Sequence, residues 1–259
     1  KQILFKEKIM KLDQIKLDVD YFDFDEKFYQ KLKPTPLSNP KLISFNKQAC
    51  NLIGLDYAEC ETKDFVDFIN GSLTLKGSVP YSMVYAGHQF GYFVPQLGDG
   101  RAINLGSVNG WHLQTKGSGL TRYSRSGDGR AVLRSSIREY LMSEAMHALG
   151  ISTTRALAII DSDTFAHRDW EEESCSIVMR MSPSWIRVGT FEFFARTKNK
   201  QAIFQLADYV IKQSYPHLEN EEDKYEKMFY SLVDKTAELL ALWQTYGFQH
   251  GVMNTDNFS

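Results

Sequence analysis

The pattern of apolar residues predicts a β-rich stretch in the middle of the chain. Between residues 81 and 119, glycines recur at short intervals and separate apolar runs such as residues 101–105 and 111–114. Glycines at this spacing are typical of antiparallel strands joined by hairpins. Two further strands are predicted over residues 155–160 and 176–181, with an acidic turn region between them.

Longer stretches follow a helical period. Residues 130–149 carry apolar side chains at helical spacing and stop at Gly150, a residue type that often ends helices. Residues 201–213 and 225–246 show the same periodicity. A β-rich half with one long helix, followed by a helical half, predicts a two-lobed α+β fold.

The same pattern divides the chain into three parts. Residues 1–80 are predicted to form an N-terminal extension, in which Pro34 and Pro36 break any helix because proline lacks the backbone donor. Residues 81–181 are predicted to form the β-rich lobe, and residues 182–259 the start of the helical lobe.

Composition narrows the class of protein. Apolar residues make up 43% and charged residues 24% of the 259 residues, which argues against disorder, collagen-like repeats and coiled coil. A net charge of -2 gives no reason to expect nucleic acid or an anionic membrane as partner. The chain has no run of 18 apolar residues and residues 1–20 are charged throughout, so neither a membrane span nor a secretory signal is predicted. Three scattered cysteines are expected to be buried free thiols, and their odd number fits a reducing compartment. The expected location of the protein is a bacterial-type cytoplasm or, in a eukaryote, a mitochondrion.

Two Gly-Asp-Gly-Arg segments are candidate phosphate-binding loops. The first, at residues 98–101, lies between two predicted strands, where glycines would let backbone N–H groups approach a phosphate; a plain hairpin turn is the alternative. The second, at residues 127–130, stands just before the predicted helix, whose N-terminus would attract an anion. Four arginines near this segment make the region locally basic.

A strand lysine and a helix glutamate form the next candidate. Lys116 ends the predicted strand, and Glu139 follows 23 positions later inside the predicted helix. Protein kinases present an ammonium to nucleotide phosphates in this way, because the carboxylate fixes a flexible lysine side chain. The pairing is a hypothesis, since either residue alone could be surface charge.

The last polar segment, residues 250–257, has the spacing of the kinase catalytic loop H-R-D-x-x-x-x-N. His250 and Asn257 fall on its first and last positions, but Val252 occupies the position of the catalytic aspartate. An aliphatic side chain cannot accept a proton. Asp256 is the carboxylate in this loop that could replace the missing base.

Three of these stretches together resemble the selenoprotein O family. They are Lys-Gly-Ser-Gly at residues 116–119, Tyr-Ser-Arg-Ser-Gly-Asp-Gly-Arg-Ala-Val-Leu-Arg-Ser-Ser-Ile-Arg-Glu-Tyr-Leu at residues 123–141, and His-Gly-Val-Met-Asn-Thr-Asp-Asn at residues 250–257. The resemblance extends from about residue 85 to residue 259. It implies a protein-kinase-like two-lobed fold, with a β-rich N-lobe carrying one long helix and a truncated helical C-lobe, and the activity of a protein adenylyltransferase.

The resemblance also implies roles for individual residues. The residues expected to contact ATP are Gly98, Gly100, Arg101, Lys116, Asp128, Gly129, Arg180 and Arg187. Glu139 is expected to position the nucleotide lysine. Asp256 corresponds to the general base, and Asn257 to a ligand of Mg²⁺ or Mn²⁺.

Members of this family are thought to bind ATP in an orientation reversed from that in kinases. Two guanidiniums, from Arg180 and Arg187, would converge with Lys116 around one triphosphate and hold its terminal phosphate. The α-phosphate would then face the acceptor, a protein Ser, Thr or Tyr hydroxyl that Asp256 deprotonates, and AMP would be transferred with release of pyrophosphate.

Two other functions stay open from the sequence: a kinase-like transfer of the γ-phosphate, and a nucleotide-binding scaffold without chemistry, which Val252 favours. In the kinase plan a second metal-binding aspartate, in a D-F-G-like triplet, comes after the catalytic loop, and the 259 residues end before it. We therefore expect this polypeptide alone to bind metal–ATP weakly and to transfer little or nothing.

Overall fold

The computed structural model describes residues 9–259, so residues 1–8 of the predicted N-terminal extension lie outside the described residues. The described chain is a mixed α+β structure, as the sequence predicts. Its strands are β1 (Tyr29–Lys31), β2 (Lys41–Phe45), β3 (Tyr81–Met83), β4 (Gly87–Gln89), β5 (Tyr92–Val94), β6 (Ala102–Val108), β7 (Trp111–Lys116), β8 (Ala131–Val132), β9 (Arg155–Asp161), β10 (Phe165–Arg168) and β11 (Glu171–Ser182). Its α-helices are α1 (Lys47–Leu52), α2 (Lys63–Asn70), α3 (Leu133–Ala148), α4 (Val188–Arg196), α5 (Lys200–Ser214) and α6 (Lys224–Thr245).

The described residues pack into two units. The sheet unit consists of residues 9–82, 99–144 and 154–182, and the helical unit consists of residues 83–98, 145–153 and 183–259. The predicted three-part division, with boundaries at residues 80 and 181, stays a prediction.

A large sheet organises the sheet unit. Its strand order is β1-β3-β6-β7-β11-β9-β2, and β8 and β10 also pair with β11. The pairs from β6 through β7, β11 and β9 to β2 are antiparallel. Strands β6 and β7 form a hairpin whose turn, Asn109-Gly110, has φ angles of 51° and 76°. Asn-Gly is favoured in such turns because both residues tolerate a positive φ.

Apolar side chains from the sheet and from two short helices form the core of this unit. Residues 155–160 of β9 are buried without alternation, which shows that both faces of this strand are covered. Helix α2, capped at its N-terminus by the Thr62 side chain, contributes Phe65 and Ile69 to the core. Burying such side chains stabilises the fold by roughly 1.5–3 kcal/mol each.

The three cysteines are buried free thiols, as predicted. Cys50 of α1 and Cys60 lie with their Sγ atoms 3.4 Å apart in this core, a proximity that the sequence does not show. Both belong to the same apolar cluster as the residues of α2.

The helical unit contains the small β4–β5 hairpin and helices α4, α5 and α6. Asn199 caps the N-terminus of α5 by accepting a hydrogen bond from the backbone of Ala202. Ile211, Tyr215 and Leu218 form a buried cluster at the end of α5. Helix α6, by contrast, has no buried residue within the described chain.

Several predicted elements are confirmed and others were missed. Helices α5 and α6 lie within one residue of their predicted limits. Helix α3 begins at Leu133, three residues after the predicted start at residue 130, because Ala131 and Val132 pair with β11 instead.

The prediction of a turn region over the acidic stretch was wrong in part. The stretch contains β10 and the first residues of β11, which pair as an antiparallel hairpin. Strands β1 and β2 and helices α2 and α4 were also absent from the prediction, because each spans at most nine residues. None of the helices among residues 9–259 combines the length and the apolar character that crossing a membrane demands.

Candidate active site

Three charged side chains form a cluster in the sheet unit, here called the Lys116 cluster: Lys116, Glu139 and Arg180. Lys116 ends β7, Glu139 lies on α3, and Arg180 lies on β11, the strand that pairs with β7. The Lys116 ammonium donates to Glu139 Oε2, and Arg180 Nη1 donates to Glu139 Oε1 at 3.0 Å. The predicted pairing of Lys116 with Glu139 is thus present, and Arg180 shares the same carboxylate.

Burial and mutual charge set the protonation of this cluster. The side chains of Lys116 and Glu139 are each 24% exposed, and that of Arg180 is 13% exposed. Burial lowers the pKa of Lys116 to about 8, against the opposing effect of Glu139. Burial alone would raise the pKa of Glu139, but the positive charges of Arg180 and Lys116 hold it down at about 2. At neutral pH the cluster therefore holds two cations around one carboxylate.

A chain of buried polar side chains continues from this cluster. Arg180 Nη2 donates to Gln114 Oε1, and Gln114 Nε2 donates to Asn104 Oδ1 at 2.9 Å. Asn104 Nδ2 in turn donates to Asp99 Oδ2 at 3.0 Å. Gln114, Asn104 and Asp99 are all at most 2% exposed. A buried network whose members satisfy one another fixes their positions, and this one connects Arg180 to the first Gly-Asp-Gly-Arg segment.

That segment, residues 98–101, is not the hairpin turn offered as its alternative. Strand β5 before it pairs with β4, whereas strand β6 after it pairs with β3 and β7. The carbonyl of Gly100 accepts a hydrogen bond from the Ser124 hydroxyl, and the carbonyl of Arg101 accepts one from the Gly117 N–H at 2.8 Å. The segment is thus an ordered entry into β6, held by the residues that follow Lys116.

The second segment, residues 127–130, is also ordered by side chains. Arg168 donates to both oxygens of Asp128, at 2.7 and 2.9 Å. The hydrogen bonds from Arg168 lower the pKa of Asp128. Gly129 has a φ of 72°, and a β-carbon there would overlap the backbone of Gly119, so this position requires glycine. The sequence predicts that this segment leads directly into the N-terminus of α3. That prediction is wrong, because β8 lies between them.

Asp256 is the centre of a site in the helical unit, here called the Asp256 site. It lies in a 3-10 turn, Thr255–Asn257, and is 7% exposed. Its Oδ2 accepts a hydrogen bond from Gln89 Nε2 at 2.8 Å. Its Oδ1 is buried and has no hydrogen-bond partner within residues 9–259. Its backbone carbonyl accepts a hydrogen bond from Arg187 Nη1.

Arg187 is held at the N-terminus of α4. Its guanidinium lies 4.6 Å from the centre of the Tyr85 ring, a cation–π distance. Its backbone N–H donates to the Thr190 hydroxyl at 3.2 Å. Arg187 and Asp256 are therefore brought together in the helical unit, as Lys116, Glu139 and Arg180 are in the sheet unit.

In the segment at residues 250–257, one amide oxygen could hold a metal. Asn257 Nδ2 donates to the carbonyl of Val252 at 3.1 Å, which leaves Oδ1 as the atom of this amide that can bind a cation. No group of three or more His, Cys, Asp and Glu side chains that could hold a metal occurs in the described chain. Mg²⁺ usually keeps several waters and binds protein oxygens together with substrate phosphates, so the Asn257 oxygen could supply one ligand of a nucleotide-bound Mg²⁺ or Mn²⁺.

Comparison with known proteins identifies the family. The family model described as protein adenylyltransferase SelO matches residues 12–259. The chain belongs to the SelO family.

Similar relatives of this SelO-family chain are found in bacteria. Proteins named protein nucleotidyltransferase YdiU from Thioalkalivibrio sulfidiphilus and Thiobacillus denitrificans are 49% and 47% identical to the chain over 96% of its length. A protein of the same name from Myxococcus xanthus is 47% identical. The chain covers 51% to 52% of these proteins, and thus spans about half the length of the relatives that it matches.

Among the residues that contact predicted site residues or continue from them, four were missed in the sequence: Gln89, Asn104, Gln114 and Arg168. Gln114 had a detectable signal, because it lies two positions before Lys116 and so shares its face of β7. Each of the other three residues contacts a partner that is distant in the sequence or has no periodic relation to it. Nothing in the sequence alone distinguishes these three residues from ordinary polar residues.

Proposed function

We propose that the full-length protein transfers AMP from ATP to hydroxyl groups of other proteins and releases pyrophosphate. The description of the matching family as protein adenylyltransferase and the names of the relatives as protein nucleotidyltransferases support this proposal. Because the chain spans about half of those relatives, the activity is proposed for the whole protein. The acceptors proposed are Ser, Thr and Tyr side chains.

The fold proposed for the full-length protein is kinase-like and two-lobed. The antiparallel sheet with α3 supports a β-rich lobe, within which Lys116 and Glu139 have the strand and helix positions of the kinase lysine and glutamate. Helices α4 to α6, followed by the loop at residues 250–257, support the start of a helical lobe.

The Lys116 cluster is proposed to bind ATP phosphates. A lysine and an arginine that share one carboxylate leave one net positive charge, and phosphate oxygens can add to it with charge-assisted hydrogen bonds. Gly98, Gly100 and Arg101 are proposed to cover the nucleotide, since the buried chain from Arg180 to Asp99 gives this segment a fixed backbone.

Asp128 and Gly129 are also proposed to contact the nucleotide. The Asp128 carboxylate is already held by Arg168, so its contribution would come from a loop that is ordered before the nucleotide binds. Gly129 would contribute its backbone, which lies close to Gly119.

Arg180 and Arg187 are proposed to hold the terminal phosphate of the same ATP, with the nucleotide reversed relative to kinases. Both guanidiniums are already oriented by protein contacts, Arg180 by Glu139 and Arg187 by the Asp256 carbonyl and the Tyr85 ring. Guanidinium groups bind phosphate oxygens with charge-assisted hydrogen bonds, which are often bidentate. This arrangement would expose the α-phosphate to the acceptor.

The single observation that carries the chemistry is the Asp256 carboxylate. One oxygen is fixed by Gln89, while the other is buried and has no hydrogen-bond partner in the described chain. We propose that Oδ1 takes the proton of the acceptor hydroxyl as its oxygen attacks the α-phosphorus, and that the bond from this phosphorus to the bridging oxygen breaks to release pyrophosphate. General-base assistance of this kind contributes roughly 100- to 10,000-fold. A metal held by Asn257 would supply neutralisation of phosphate charge.

A second candidate is a nucleotide-binding scaffold without chemistry. Val252 supports it, because this side chain stands at the position of the kinase aspartate and is 37% exposed. The orphaned oxygen of Asp256 argues against it, since a buried polar atom without a partner costs about 1–3 kcal/mol and such costs are typical of functional sites.

Labelled ATP distinguishes these functions. The full-length protein, incubated with an acceptor protein, is expected to incorporate label from ATP labelled at the α-phosphate and not from ATP labelled at the γ-phosphate. Asp256→Ala is expected to lower incorporation by about 100- to 10,000-fold while ATP still binds. Label transferred from the γ-phosphate would favour kinase chemistry, and ATP binding with no transfer from either position would favour the scaffold.

A further inference from the structure

A short hairpin reaches the Asp256 carboxylate from a distant part of the sequence. Strands β4 and β5 form a two-stranded sheet in which Gln89 pairs with Tyr92. Gln89 is the last residue of β4, and its amide donates to Asp256 Oδ2 across a sequence separation of 167 residues. The two residues at the turn, Phe90 and Gly91, have φ angles of 51° and 87°.

The base of this hairpin is fastened to the turn that carries Asp256. The His88 N–H donates to the Thr255 hydroxyl at 2.9 Å, and the Thr255 hydroxyl donates to Glu192 Oε2. His88 Nδ1 lies 2.9 Å from Glu192 Oε1, so the same carboxylate holds both the hairpin and the turn. A two-stranded hairpin has little stability alone, and these contacts hold β4 against residues 255–256.

The backbone of the hairpin also lies directly against the carboxylate. A β-carbon added to Gly87 would stand 2.5 Å from Asp256 Oδ1 and 2.9 Å from its Cγ. Only glycine at this position lets Asp256 occupy its observed place. Gly87 and Gln89 are two residues apart on the same strand and therefore lie on the same face of it. Strand β4 thus restricts the positions of both oxygens of Asp256.

From these contacts we infer that Gln89 is a positioning residue for Asp256, and that β4 fixes the orientation in which this carboxylate meets the acceptor hydroxyl. This inference rests on the proposed function of Asp256 as general base. The amide is suited to this role because it is neutral: it fixes Oδ2 by a hydrogen bond without pairing the negative charge that must accept a proton. A lysine or arginine at the same place would hold the carboxylate in an ion pair.

The test compares two variants of Gln89 in the full-length protein. Gln89→Glu keeps the shape of the side chain but replaces the donor with a second carboxylate, and Gln89→Leu removes the hydrogen bond. For both variants kcat for AMP transfer is expected to fall, by up to about 100-fold, because a displacement of about 1 Å at a reacting group can cost that much. KM for ATP and the melting temperature are expected to stay close to those of the unmutated protein. Tyr92→Ala, in the same hairpin with a side chain 78% exposed, is the matched control and is expected to keep its kcat.

Two further variants separate positioning from a structural role. Gly87→Ala is expected to lower kcat in the same way, since its methyl group would displace Asp256 Oδ1. In an Asp256→Ala background, Gln89→Leu is expected to have no further effect on kcat, because residues that act through one another are not additive.

The outcomes distinguish this inference from the function on which it rests. If the unmutated full-length protein transferred no AMP, the proposed function would fail. If it transferred AMP and both Gln89 variants kept their kcat, or lost it equally with and without Asp256, the positioning role would be overturned. A fall in melting temperature that accounted for the lost activity would assign Gln89 to folding alone and would likewise overturn it.

Discussion

The Lys116 cluster and the Asp256 site are held by different forces. In the cluster, two cationic side chains on paired strands share one carboxylate on a helix, and all three side chains are partly buried. At the Asp256 site, a single carboxylate is held by an amide, by contact with glycine and by the contacts of its own backbone carbonyl, and one of its oxygens has no partner in the described residues. Removing one charge from the first arrangement would leave the other charges partly buried and uncompensated, whereas the second arrangement holds a buried, incompletely bonded oxygen at some cost in stability.

Because of this difference, we expect changes at the two sites to affect different measured quantities. Changes in the Lys116 cluster are expected to alter stability and ATP binding together, because each charge there compensates another. Changes at Asp256 are expected to alter the rate of transfer with little loss of stability. The five predictions below test that separation, from the largest effect to the smallest.

Removing the charge of Asp256 is expected to have the largest effect. Asp256→Asn keeps the size of the side chain but cannot accept the proton, so kcat for AMP transfer is expected to fall by about 100- to 10,000-fold. The melting temperature is expected to be unchanged or higher, since a buried and incompletely bonded charge is removed. Asp234→Asn on the exposed face of α6 is the control. A large loss of stability in Asp256→Asn would show that this aspartate is structural.

Neutralising Glu139 is expected to affect stability and binding together. Glu139→Gln leaves Lys116 and Arg180 partly buried without their carboxylate, and the free energy of unfolding is expected to fall by about 2 kcal/mol, less than the 3–5 kcal/mol seen for fully buried pairs. Denaturant unfolding and ATP titration of the same samples measure the two effects. Glu226→Gln in the first turn of α6 serves as the matched control.

The pH dependence of stability gives a second readout of Glu139. Its pKa in the folded protein is about 2, below its ordinary value of 4.5. The stabilisation from this group is therefore present above about pH 4.5 and is lost as the pH falls toward 2. Glu139→Gln is expected to lose this part of the pH dependence. An unchanged acid profile would contradict the pairing.

ATP binding is expected to weaken in alkaline solution. Burial places the pKa of Lys116 at about 8, so the ammonium loses its charge above that pH while the arginines keep theirs. If Lys116 contacts phosphate, the association constant for ATP should fall by up to about tenfold for each pH unit above this pKa. Lys116→Arg is expected to give a flat profile. A flat profile in the unmutated protein would exclude the ammonium from phosphate binding.

The buried amide chain is expected to have the smallest effect. Gln114→Leu removes one hydrogen-bond partner of Arg180 and of Asn104, and the free energy of unfolding is expected to fall by about 1 kcal/mol, the low end of the cost of such a change. ATP affinity is expected to weaken more than kcat, which would sharpen the separation of the two sites. Gln205→Leu, at an exposed position of α5, is the control for the substitution itself. Equal losses in binding and kcat would contradict the separation.

The sequence predicts the locally encoded parts of this molecule. The Asn109-Gly110 turn and the alternation around it indicate the β6–β7 hairpin, and the order of strand and helix indicates the pair of Lys116 with Glu139. Helices α5 and α6 follow from their periodicity alone.

The parts that the sequence does not predict depend on long-range contacts. Gln89 meets Asp256 across 167 residues, and Arg168 meets Asp128 across 40. Neither pair leaves a periodic signal in one sequence. Strand β10 was missed because its pattern, exposed at Phe165 and buried at Ala166, is too short to separate from a turn.

The central claim is that the Lys116 cluster and the Asp256 site act on one ATP. The most direct test is a crystal structure of the full-length protein with a non-hydrolysable ATP analogue and Mg²⁺. The account predicts one nucleotide whose phosphates contact both Lys116 and Arg187, with the α-phosphate nearest to Asp256. A nucleotide with its γ-phosphate nearest to Asp256, or one whose phosphates do not contact Arg180 and Arg187, would contradict it.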